Sequence, residues 1–86
     1  MDLITLAGQA VAAADLDDQA RGRVDVEIEF GDTAIALGIA VLETRRPLRT
    51  EVLDQVAVGA AAWYANAAYR RLVLDAVARQ KRQNVA

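Results

Sequence analysis

The chain contains no cysteine, no histidine and no serine, and a single lysine, Lys81. Without cysteine there is no disulfide framework, and without cysteine or histidine there is no ordinary zinc site. The Ser-His and Cys-His nucleophile pairs and histidine acid–base chemistry are all excluded. The composition therefore argues against an enzyme. No catalytic, cofactor-binding or metal-binding residues are expected. Glycines are few and isolated, at positions 8, 22, 31, 38 and 59, so no phosphate-cradling loop is present.

Aromatic residues are also scarce: Phe30, Trp63, Tyr64 and Tyr69. Alanine replaces them, with nineteen copies in 86 residues. That length accommodates one domain, spanning 1–86. Hydrophobic residues make up 55% of it, above the ~45–50% of an ordinary domain. Small apolar side chains bury little area each, and a small domain is already marginal. The apolar excess is explained most simply by burial against a second copy or a protein partner. The uncharged apolar runs 33–42 and 55–69 are shorter than the ~20 residues that span a bilayer. Met1-Asp2-Leu3 offers no basic leader. The expectation is a cytoplasmic protein with no membrane contact.

Charge is uneven along a chain of net charge −2. Residues 1–30 carry seven acids and two bases, while residues 70–86 carry one acid and five bases. An acidic front and a basic tail favour attraction between the two.

Asp2 can cap a helix over Leu3, Leu6, Ala7, Ala10, Val11 and Ala14, which recur at helical spacing. A break is expected near Ala14 or Asp15, then a short cap and a glycine stop at Gly22, giving a helical segment over 1–21. Arg23 to Phe30 alternates strictly, with Val24, Val26, Ile28 and Phe30 on one side and Arg23, Asp25, Glu27 and Glu29 on the other. That is a strand signal. Gly31-Asp32 suits a tight hairpin turn. Over Thr33–Leu42, Ile35, Leu37, Ile39 and Val41 alternate with Ala34, Ala36, Gly38 and Ala40. β-Branched content favours a second strand. The alternative is a helix from an Asp32 or Thr33 cap, apolar all round and interrupted by Gly38. The expected fold is thus α+β: a short N-terminal helix, an antiparallel β-hairpin over 23–42, and a long C-terminal helix over 48–83.

The helix would start at Pro47 or three residues later at Thr50-Glu51. At ~1.5 Å per residue it would overhang its hairpin. One stripe reads Val52, Val56, Gly59, Trp63, Ala67, Arg70, Leu74 and Val77 at three- and four-residue steps. From Val56 onward, that is Val56, Gly59, Trp63, Ala67, Arg70, Leu74 and Val77, it is the candidate interface of a homodimer, with Trp63 either core or anchor.

Two basic groups are candidates for phosphate: Arg45, Arg46 and Arg49 before the helix, and Arg70, Arg71, Arg79, Lys81 and Arg82 on its distal half. A sequence pI near 4.9 weighs against nucleic acid, and a solvated helix end is the plainer account. Asp25, Glu27 and Glu29 would share one strand face, which reads as a solvated face rather than a cation site. Asp15, Asp17 and Asp18 lack the glycine and distal glutamate of a calcium loop.

Gly22 to Arg71 resembles the YbaB/EbfC family of small nucleoid-associated proteins. The resemblance rests on Arg23-Val24-Asp25-Val26-Glu27-Ile28, the glycine turn, Leu37-Gly38-Ile39, and Leu53-Asp54-Gln55-Val56-Ala57 opening an alanine-rich helix with Asn66. It covers about half the chain and implies a homodimer that associates with DNA. Arg46-Pro47-Leu48-Arg49-Thr50-Glu51-Val52 is similar to the turn into the second helix of ribbon-helix-helix repressors. Their strand faces DNA, and here it would present Asp25, Glu27 and Glu29, so this resemblance ranks second. The sequence thus points to a non-enzymatic, homo-oligomeric binding module that acts through protein contacts or self-assembly. The alternative is a small DNA-binding protein.

Overall fold

Five α-helices follow one another in the computed structural model, which describes residues 1–85: α1 (Leu3–Ala13), α2 (Asp18–Glu29), α3 (Thr33–Glu43), α4 (Thr50–Trp63) and α5 (Ala67–Asn84). Among the described residues there is no strand, so the expected α+β fold with its hairpin over 23–42 is overturned.

The reason lies in the caps and in the central position of α3. The Asp17 side chain accepts from the Ala20 N–H, and the Asp32 side chain accepts from the Ile35 N–H. Each satisfies one of the unpaired donors of a first turn and starts a helix. Gly31, at φ +80°, turns the chain between them. A helix apolar on every side belongs in the middle of a protein. Accordingly Ala36, Leu37, Gly38, Ala40 and Val41 of α3 are all buried. The alternating residues of α2 step by about 200° in a helix, so they scatter round it. Val24 is fully buried, while Val26 is 48% and Phe30 79% exposed. Ala20 and Val24, one turn apart, dock α2 onto α3. Gly22 lies inside α2 rather than stopping a helix.

α1, α3, α5 and α4 form a four-helix ring in which each packs on two neighbours, and α2 lies along α3 from outside. The small residues let the helices approach. At Gly38 an added Cβ would collide with the Tyr69 hydroxyl, so bare backbone is what admits the Tyr69 ring to α3. Leu6, Leu37, Leu53, Val56 and Val73 fill the centre.

The single long helix expected over 48–83 is two helices. Tyr64-Ala65-Asn66 interrupts it, and the Asn66 side chain accepts from the Tyr69 N–H to begin α5. Arg70 donates to the Tyr64 carbonyl at 3.0 Å across the break. The turn folds α5 back on α4, so nothing overhangs. α4 takes the later of the two anticipated starts, at Thr50.

Hydrogen bonds tie two of the linkers to the rest of the chain. The Asp15 N–H donates to Thr44 Oγ1, and the Arg45 N–H donates to the Asp15 carbonyl. Gln80, the only buried polar residue among those described, accepts from the Leu48 N–H at 2.8 Å and donates to the Val41 carbonyl at 2.7 Å. Asn84 donates to the Leu48 carbonyl. Two side chains of α5 thereby pair the backbone of buried Leu48 and the carbonyl of buried Val41 near the end of α3.

Candidate interaction surface

The ring and α2 leave one sector of α3 uncovered. α2 covers the Ala36–Ala40–Glu43 side, where Arg23 pairs with Glu43. α5 covers the Gly38–Val41 side through Tyr69 and Gln80. Between them, at helical spacing, lie Ile35, Ile39 and Leu42, each only partly buried. On the α2 side the strip continues with exposed Val26 and Phe30. A shallow crevice of about 490 Å³ separates the helices there, lined by Gln19, Gly22, Arg23, Val26, Glu27 and Ile39. On the α5 side Leu72, 56% exposed, stands at the same edge of its helix as Arg79. The opposite edge of α5 faces α4, to which Lys81 is bound through Asp54 at 2.6 Å.

The α2 edge of this face carries Arg23 and Glu27, one charge of each sign, and the acids of α2 lie further round, turned away from it. Asp18, Asp25 and Glu29 share the outer side of α2 at spacings of seven and four. None forms an ion pair within the described chain. Arg71, Arg79 and Arg82 lie on the outer side of α5, exposed and likewise without a carboxylate partner, with Asp75 between the first two. α2 runs antiparallel to α3. α5 runs parallel to it, because the Tyr64 hydroxyl reaches the Ala34 carbonyl at one end and Gln80 reaches Val41 at the other.

The residues singled out in the sequence do not form one surface. Val56 and Val77 are buried in the chain's own core. The Trp63 indole folds back over Gly59 one turn earlier and is half-buried. Ala67 is exposed at the start of α5, Leu74 is partly buried against the core, and Arg70 is bound to the Tyr64 carbonyl. The cations separate too. Arg45 is bound by Asp15 at 2.7 Å, and Arg46 lies 3.8 Å from the same carboxylate. The Asp15 pair raises the Arg45 pKa, chiefly by its hydrogen bond. Arg49 sits exposed before α4, near the α5 end through Asn84 and Thr50. Asp25 and Glu29 face outward while Glu27 turns toward the α2–α3 crevice, so the three carboxylates diverge.

The tyrosines of the α4–α5 turn pack edge-on, ring centroids 5.3 Å apart. Burial pushes the Tyr64 hydroxyl above its ordinary pKa and does the same to Tyr69. Both groups serve the fold. Sequence reasoning missed Val26, Phe30, Ile35, Ile39, Leu42 and Leu72 as one face. Reading 18–30 and 33–43 at period 3.6 would have found the first five, since Val26–Phe30 and Ile35–Ile39–Leu42 each repeat at helical spacing.

Among the described residues no helix is long and apolar enough to cross a membrane. Comparison with protein-family models, with curated proteins and with solved structures gives no match.

Proposed function

We propose that this chain is a non-catalytic interaction module, acting in the cytoplasm, that binds protein through the open α2–α3–α5 face. The observation that supports it is the apolar strip of Val26, Phe30, Ile35, Ile39, Leu42 and Leu72, left uncovered on three adjacent helices. An exposed patch of that kind with a charged rim is the usual anatomy of a protein interface. The lack of histidine, cysteine and serine in the sequence supports a binding role over chemistry.

A nucleic-acid role draws its support from Arg79, Arg82 and Arg49, which the linker clamp gathers near one end of the bundle. Asp15 and Asp54 occupy Arg45, Arg46 and Lys81 at that end, which leaves fewer cations for phosphate. The protein reading is therefore preferred.

A photo-crosslinking amino acid placed in turn at Val26, Ile39, Arg79 and Arg82, with exposed Ala61 of α4 as control, tests both. Protein adducts from 26 and 39 but not from 61 are expected in cells. Adducts to nucleic acid from 79 and 82, with none to protein from 26 and 39, would overturn the protein reading.

A further inference from the structure

We draw no further inference here: the strongest candidate, the apolar strip of α3 left open between α2 and α5, is the surface the proposed function already uses, and nothing in the structure shows what covers it.

Discussion

Tyr64 shows how one residue can close a fold at a turn. It ends α4, stacks edge-on against Tyr69 and donates its hydroxyl to the Ala34 carbonyl at 2.6 Å, joining the α4–α5 turn to the start of α3. Its hydroxyl is held above the ordinary pKa of 10.0, first by burial and then by Tyr69 and Asp32. A raised pKa in the folded state means that the unfolded chain gives up the proton first. The associated stability is complete below pH 10 and is lost as pH rises beyond it. Tyr64→Phe removes the hydrogen bond and should cost about 1 kcal/mol at neutral pH, a fall in Tm of about 4–8 °C. The same change should flatten the alkaline decline without abolishing it, because burial raises Tyr69 as well. Thermal melts of both proteins between neutral pH and alkaline pH check this. Equal melting temperatures at neutral pH would show that the bond to Ala34 adds nothing.

At the scale of elements, the helical reading of 18–29 carries its own test at Gly22. This glycine is in mid-helix, and an added Cβ meets nothing within 4 Å. Alanine there restricts the unfolded chain and suits the helix, so Gly22→Ala should raise stability by about 0.5–1 kcal/mol. The urea midpoint measures it, and a lowered midpoint would speak against a helix at that position. The sequence misleads over this stretch for a physical reason. Strict alternation over Arg23–Phe30 has the period of a half-buried strand, yet only Val24 of its four apolar residues is fully buried. Strand preference describes how side chains fit a pleated surface, and it yields to tertiary packing. Asp17 and Asp32 carried the opposing signal, since each stands where a helix cap is needed. The α1 cap at Asp2 was legible because apolar period and cap agreed there. The break at Tyr64-Ala65-Asn66 was hidden by unbroken alanine-rich helical spacing on both sides. Only Asn66, a good cap residue, marked it. The candidate face was hidden for the same reason as the helices that form it. Val26 and Phe30 become neighbours at period 3.6 and merge into a uniform row at period 2.

For the whole molecule, a net charge of −2 conceals an uneven spread: Asp18, Asp25 and Glu29 with Arg21 on the outer side of α2, and Arg71, Arg79 and Arg82 with Asp75 on the outer side of α5. Each side by itself is an exposed charged surface worth little to the monomer's stability. The Cα radius of gyration is 11.7 Å, close to the ~12 Å of a compact chain of this length. Salt separates the two readings of the molecule, because the Debye length falls from ~30 Å at 0.01 M to ~3 Å at 1 M. Protein adducts from Val26 and Ile39 in a lysate should persist as salt rises, since an apolar contact does not weaken with screening. Nucleic-acid adducts from Arg79 and Arg82 should fade over the same range. Loss of the 26 and 39 adducts at high salt would show that the apolar strip does not hold the partner.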